Sequence, residues 1–389
     1  MKILILSFHY FPDLCAGSFR STAFVEQLKE KAGDGTQIDV LTTLPNRYAT
    51  YKVEAPIDEQ KAGVSIHRIA LPRHESGMLD QAFAFFYFVR EVNRYIKNKQ
   101  YDLVYATSSR LMAAVLGAWV SRRKKAILYL DIRDIFVETL GDIFPPWISI
   151  VAVPWFSLLE KWSFSRAQCI NLVSKGFAPY FNKRYPKQKL TWFTNGIDPE
   201  FMNITGDATS ILTKKMTILY AGNVGEGQGL HRVIPQLALR LEGHAQFKII
   251  GDGGRLTQLK SAVEAAQCQN VDIVAPLGRE ALIREYMAAD ILFIHLNDHA
   301  SFLRVLPSKI FEYAATGKPI WAGVSGYAGE FIRAEVSNSA IFDPCDVDQA
   351  LDVLPRLQRE TSMRHHFIQK YQRSHIMEQM ALELLSLLR

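Results

Sequence analysis

Ser308, Lys309 and Glu312 fall within one turn of each other in the stretch LPSKIFEYAATGKPI, inside an otherwise apolar helical pattern. A hydroxyl and an ammonium at a helix start suit an anionic oxygen, because the free amides and the helix dipole there favour negative charge. A carboxylate one turn later offers two acceptor oxygens, which suits sugar hydroxyls. A phosphorylated ligand with a sugar attached is one answer to why these residue types sit at this spacing, with Pro307 leading into them.

Three glycine-containing turns between a predicted strand and a predicted helix accompany this stretch. The first, FPDLCAGSFR, places Ala16, Gly17 and Ser18 where backbone amides can approach a phosphate. The second, YAGNVGEGQGL, carries Gly222, Gly225, Gly227 and Gly229, and the third, IIGDGG, carries Gly251, Asp252, Gly253 and Gly254. A tight turn uses glycine without any ligand, so each loop alone says little and the set says more. No Gly-Lys-Ser/Thr follows any of them, and the turn after the first strand lacks the full dinucleotide fingerprint, which argues against an ATPase or a dehydrogenase.

The elements that must position these residues are legible as short β-rich runs separated by helical patterns. KILILSF, QIDVLTT, DLVYATS and AILYLDI precede TILYAG, FKIIGDG, ILFIHL and KPIWAGV. Such alternation implies α/β architecture with parallel sheets covered on both faces. A chain of 389 residues is long enough for two such domains. The polar stretch NITGDATSILTKK marks the break: we expect an N-terminal domain over 1–198, a linker over 199–215 and a C-terminal domain over 216–369. The opening MKILILSFHYF lacks a small-residue cleavage site and reads as the first strand.

A formal charge of +6 favours anionic substrates or a lipid surface, yet it is too diffuse for nucleic-acid binding, and no nucleic-acid motif is present. The four cysteines, Cys15, Cys169, Cys268 and Cys345, fit neither a disulfide framework nor a zinc site and indicate reduced thiols in the cytoplasm. Two segments are unusually aromatic: MLDQAFAFFYFVREVNRYIK reads as a helix with a wide apolar face, and IFPPWISIVAVPWFSLLEKW holds Trp147, Trp155 and Trp162 among prolines that interrupt it. Both suit lying in a membrane interface better than crossing it, and a large core contact is the alternative. The basic run Arg122, Arg123, Lys124 and Lys125 would strengthen the interface reading if it shared that face.

The ordered set FPDLCAGSFR, TNGID, YAGNVGEGQGL, IIGDGG and LPSKIFEYAATGKPI resembles the retaining glycosyltransferases of family 4 over nearly the whole chain. LPSKIFEY with GNVGEGQGL further resembles a WbuB-like subgroup acting in bacterial surface-polysaccharide assembly. The resemblance implies the GT-B fold, two facing Rossmann-like domains with an inter-domain cleft, and a last helix at about 370–389 that packs back on the first domain. It implies that Glu312 accepts from the nucleotide ribose, that Ser308 and Lys309 meet the diphosphate, and that Gly17, with Ser18, faces it from the first domain. Gly251 and Gly253 complete the donor side.

Departures from the family pattern are specific. The position of a first glutamate is Arg304, and an arginine and a lysine of the second glycine loop are replaced by Asn223 and Gln228. We expect Arg304 and Lys309 together to supply the positive charge that a leaving diphosphate needs. The Asp-x-Asp at Asp346 and Asp348 lies late, away from the expected cleft, so transfer without metal or cofactor is expected. On the acceptor side, YLDIRDIFVETL provides Asp134, Arg133 and Asp131 as catalytic candidates, with Arg133 nearest to a family histidine; a salt-bridged strand end is the other reading. His9, Ser108, Arg110 and Glu138 are acceptor-side candidates. The resemblance thus implies a metal-independent, retaining transferase that uses a nucleotide sugar, UDP-linked and carrying an N-acetylated amino sugar. Its acceptor would be a lipid-linked or oligosaccharide substrate in O-antigen, capsule or exopolysaccharide synthesis, and it would sit peripherally on the inner face of the bacterial plasma membrane. A 2-epimerase of the same fold and a non-catalytic nucleotide-sugar-binding scaffold are the competing readings.

Overall fold

The computed structural model describes residues 1–46, 54–72, 78–108, 111–143, 145–202 and 215–389. They form two compact units, Met1–Asn195 with Arg373–Arg389, and Gly196–Gln372. Arg110, and most of the expected linker at 203–214, lie outside the described residues.

The first unit opens with β1 (Lys2–Leu6), whose Ile3, Leu4, Ile5 and Leu6 are all buried, as a strand covered on both faces requires. It continues through α1 (Ala16–Lys31), β2 (Gln37–Thr43), β3 (Asp58–Lys61), β4 (Val64–Ile69), α2 (Met78–Ile96), β5 (Leu103–Ser108) and α3 (Leu111–Lys124). There follow β6 (Ile127–Ile132), α4 (Phe136–Ile143), α5 (Pro146–Phe164), β7 (Cys169–Leu172), α6 (Ala178–Arg184) and β8 (Leu190–Thr191). The sheet runs β3-β4-β2-β1-β5-β6-β7-β8 and is parallel except for the β3–β4 hairpin. That hairpin turns on Ala62 and Gly63, both at positive φ, the backbone twist a two-residue connection demands.

The second unit contains β9 (Met216–Asn223), α7 (Leu230–Arg240), β10 (Ala245–Asp252), α8 (Leu256–Ala265), β11 (Val271–Val274), α9 (Arg279–Ala288) and β12 (Ile291–His295). It ends with α10 (Lys309–Ala315), β13 (Ile320–Gly323), α11 (Gly326–Glu335), β14 (Ser339–Phe342), α12 (Val347–Val353) and α13 (His365–Lys370). Its sheet, β11-β10-β9-β12-β13-β14, is parallel throughout, around a core that includes Phe293, Trp321 and Phe342. The chain then returns to the first unit as α14 (Arg373–Ser386), which packs on α1 and buries Met377, Met380 and Leu384 in that unit's core. Both units show the strand and helix alternation expected from the sequence. Strand order reverses beside β9 in the second unit and beside β1 in the first, and loops at such reversals are where doubly wound sheets hold ligands.

The aromatic segments form α2 and α5. The prolines expected to interrupt the second segment do not break it. A proline at the helix start removes an amide that has no partner there anyway, and Pro154 lies on the solvent side. Trp147, Ile150, Val151, Trp155 and Leu158 recur at helical spacing and are 61% to 74% exposed, while the opposite face is anchored by Glu160, which accepts from Tyr180 at 2.6 Å and Tyr185 at 2.7 Å. Phe83 and Phe86 of α2 are exposed as well. α3 packs on α5 and reaches α2 through Arg123 Nη1 to Asn93 Oδ1 at 2.9 Å, so the three helices form one layer. Helices linking parallel strands start at the carboxyl edge of the sheet and run back. Trp147 and Phe83 therefore lie towards the edge that carries the ligand loops, and the basic run at the end of α3 lies at the other end of the layer. The condition that the basic run Arg122–Lys125 share a face with the tryptophans is therefore not met. Among the described residues no helix is long and apolar enough to cross a membrane.

Candidate functional site

In the second unit the site grows from the end of β9. Gly222 has φ +148, and an added Cβ would overlap Lys309 Cε and stand 2.8 Å from Nζ. The positive φ requires glycine there, and the first side chain of α10 lies across that strand end. Burial lowers the Lys309 pKa, with Glu312 opposing the shift, so the ammonium is primed to gain from an anion. Tyr313 fixes the same corner by accepting the Ala221 N–H at 2.9 Å. Ser308 caps α10 without a side-chain bond to the helix, and the Pro307 carbonyl accepts the Ile310 N–H at 3.2 Å.

Glu312, one turn along, is buried. Its Oε1 lies 3.3 Å from Arg279 Nη1, and its Oε2 accepts from Tyr286 at 3.2 Å. Arg279 Nη2 also donates to Asp198 of the TNGID turn, and the guanidinium lies 4.5 Å from the centre of the Phe201 ring. Neither Arg279 nor Tyr286 stood out in the sequence, because a single arginine opening a helix carries no spacing signal.

Asn223 and Gln228 bond each other at 2.8 Å, and Gln228 Oε1 also accepts the Gly225 N–H at 3.2 Å. Both amides are thus engaged in closing the turn. His295, which the sequence reading passed over, pins that turn from beneath. Its Nε2 accepts the Cys345 N–H at 2.9 Å, so Nδ1 carries the proton and donates to the Gln228 carbonyl at 2.7 Å. Burial pushes its pKa down to about 4, against the pull of the Gln228 bond.

Gly251 and Gly253, expected on the donor, have a packing role. Each has φ +157, and an added Cβ would meet the Gly222 carbonyl or stand 2.6 Å from the Val224 carbonyl. Their missing side chains let the β10 loop lie against the β9 loop. Arg304 ends a 3-10 turn, Ala300–Arg304, and is half-buried. Asp346 caps α12 by accepting the Gln349 N–H at 2.9 Å and Asp348 pairs with Arg240 at 3.1 Å, which accounts for the Asp-x-Asp.

In the first unit, the loop after β1 is held by Ser7 Oγ donating to the His9 carbonyl at 2.6 Å, and His9 Nδ1 meets Asp13 Oδ2 at 3.1 Å. α1 then opens at Ala16 with no side-chain cap on its first amides. A Cβ on Gly17 would overlap the Arg133 guanidinium, so Arg133 lies directly on the helix start. Among the described residues, Ser18 Oγ and Arg133 Nε are both buried without a hydrogen-bond partner. Buried donors beside the positive end of a 16-residue helix are a chemistry that suits an anion.

Asp131, expected as a catalytic group, is instead structural. It is fully buried and accepts from Arg20, Tyr105 and Asn171, because a carboxylate buried there needs a full set of donors. Three residues later Asp134 reaches solvent, yet the protein around it pushes its carboxyl up to about 6, with Arg133 pulling it down. Ser108 ends β5 with its carbonyl accepting the Arg133 N–H at 3.0 Å, and Glu138 lies in the first turn of α4.

Comparison with known proteins assigns each half of the chain. Residues 21–196 match the model described as glycosyl transferase 4-like domain, and residues 206–374 match glycosyl transferases group 1. Sucrose-phosphate synthase from Thermosynechococcus elongatus superposes with a TM-score of 0.76 at 15% identity, covering 100% of this chain and 99% of that one. WaaG, a glycosyltransferase involved in lipopolysaccharide biosynthesis, gives 0.65 at 15% identity over 97% and 95% of the two chains. HepE from Anabaena, solved in complex with UDP, gives 0.65 at 16% identity over 99% and 100%. No curated protein matches the sequence. With a glycosyltransferase model on each half and two Rossmann-like units that superpose on GT-B structures, the chain belongs to the family-4 glycosyltransferases of the GT-B fold.

Proposed function

We propose that this glycosyltransferase moves a sugar from a UDP-linked donor, an N-acetylated amino sugar by its resemblance, onto a lipid-linked saccharide at a membrane surface. Lys309 on the Gly222 corner supports the donor half, since its ammonium stabilises the diphosphate as charge develops on it. Glu312 accepts from the ribose hydroxyls, and within the first unit Ser18 Oγ and Arg133 Nε are buried donors that suit an anion of their own. That HepE was solved with UDP, and that WaaG is involved in lipopolysaccharide biosynthesis, agree with this choice.

Transfer in this reading retains the anomeric configuration. The bond from the sugar C1 to the diphosphate breaks, the acceptor oxygen bonds C1 on the same face, and its proton passes to the departing phosphate. Cations and amides take the role that a metal plays in other transferases, with Arg304 as a second cation.

The observation that carries the lipid acceptor is the apolar stripe of α5, Trp147 to Leu158, exposed towards the edge that bears the ligand loops. Tryptophan and branched aliphatic side chains at that density suit the headgroup boundary of a bilayer, which implies a peripheral enzyme on the inner face of the bacterial plasma membrane. The test begins with melting-temperature shifts for UDP, GDP, CMP and ADP with and without EDTA, on wild type and Lys309→Ala. We expect a UDP shift that survives chelation and weakens in the variant. Transfer from UDP-sugars to extracted lipid-linked acceptor in anionic vesicles should follow. Epimerised donor without acceptor would establish the epimerase instead, and UDP binding without any turnover would establish the scaffold.

A further inference from the structure

Arg279 stands between two carboxylates of the second unit. One Nη donates to Asp198 in a short ion pair, and the other lies 3.3 Å from Glu312. Charge-assisted bonds of this kind run at about 2.7–2.9 Å, so the guanidinium is committed to Asp198 and leans on Glu312 at longer range. The Phe201 ring beneath it, 4.5 Å from the guanidinium carbon, fixes its plane. Glu312 is held from its other side by Tyr286 at 3.2 Å, and Tyr286 is itself buried edge-on against Tyr313. One neighbour per oxygen leaves a carboxylate about half of its roughly four lone-pair sites. Glu312 is therefore fixed in place with acceptor capacity remaining.

Asp198 follows directly on the crossing between units. Ile197 N–H donates to the Tyr371 carbonyl at 2.8 Å, and Ile197 pairs with Gln372, so the entering and leaving strands of the second unit are bound together beside it. The aspartate of TNGID thus has a partner beyond its own turn.

We propose that Arg279 is the positioning residue for Glu312 and that Asp198 is its anchor, so that recognition of the nucleotide ribose depends on the TNGID turn where the chain enters the second unit. The inference rests on the reading of Glu312 as the ribose acceptor. Removal of the guanidinium leaves two buried carboxylates without their shared cation, and Glu312 then turns away from its binding geometry.

Calorimetric binding of UDP and of 2′,3′-dideoxy-UDP, which lacks the ribose hydroxyls, tests both levels. Wild type should prefer UDP by at least about tenfold, the loss of one or two hydrogen bonds to a charged group. Glu312→Gln should abolish the preference. Arg279→Gln and Asp198→Asn should each weaken UDP about tenfold while leaving the dideoxy analogue within about twofold, and Arg279→Lys should recover part of the preference. A role in general packing would weaken both ligands alike, and that result overturns the proposal. So does a folded Arg279→Gln or Asp198→Asn with wild-type preference. Retention of the preference by Glu312→Gln would instead remove the ribose reading itself, so the two failures are distinguishable.

Discussion

Two parallel bonds of 2.8 and 2.9 Å join the guanidinium of Arg20 to the carboxylate of Asp131, and neither side chain is exposed. Arg20 also donates to the carbonyls of Phe193 at 2.8 Å and Thr194 at 2.7 Å, so the pair ties α1 and β6 to the segment that leaves the first unit. Breaking a buried pair strands a charge, and Asp131→Asn is expected to lower the unfolding free energy by about 3–5 kcal/mol. Burial alone would raise the Asp131 pKa, but the Arg20 charge and bonds overcome it and the net shift is downward. The pair's stability is therefore complete above the ordinary aspartate range and lost as pH falls through the lower native value. Urea titrations from pH 7 to 3 should show a shallower acid limb in the variant.

His295 has the opposite dependence to an ion-paired histidine. Its native pKa of about 4 lies below that of an unfolded histidine, so between the two the unfolded chain binds a proton that the native state refuses. Stability should fall as pH drops through that window, by on the order of 3 kcal/mol in total. His295→Gln should flatten the profile of melting temperature against pH there, while weakening donor binding through the loosened Gln228 turn.

The glycines should separate into two kinds. An alanine Cβ at Gly251 would strike the Gly222 carbonyl, which is backbone and cannot give way, so Gly251→Ala should lose at least about 2 kcal/mol. At Gly17 the obstacle is the end of the Arg133 side chain, which can swing aside. Gly17→Ala should stay within about 1 kcal/mol of wild type in denaturant unfolding yet bind UDP-sugar more weakly.

The α5 stripe makes little contact with its own unit, so Trp147→Ser with Trp155→Ser should change stability by less than about 0.5 kcal/mol per site. Cosedimentation with anionic vesicles should drop sharply. Transfer to a short-chain, water-soluble acceptor should persist where transfer to a bilayer-embedded one is lost.

The alternation of strands and helices, the glycine turns and the Lys309–Glu312 pair were legible in the sequence, because each depends on residues within a turn or two of one another. Periodicity marked the first aromatic segment as a helix, whereas the prolines hid the second, which forms α5 with Trp147 and Trp155 exposed. Asp131 and Asp134 show the limit: three residues apart and alike in chemistry, one is enclosed by Arg20, Tyr105 and Asn171 and the other meets solvent. The clamp of Asp198, Arg279 and Glu312 joins residues 81 and 33 positions apart, and the His295 lock spans 67. Local pattern states which way a side chain leaves its own strand or helix. What it meets there is decided by which element packs opposite, and in a parallel sheet that element comes from a distant crossover, so only the tertiary structure determined those partners.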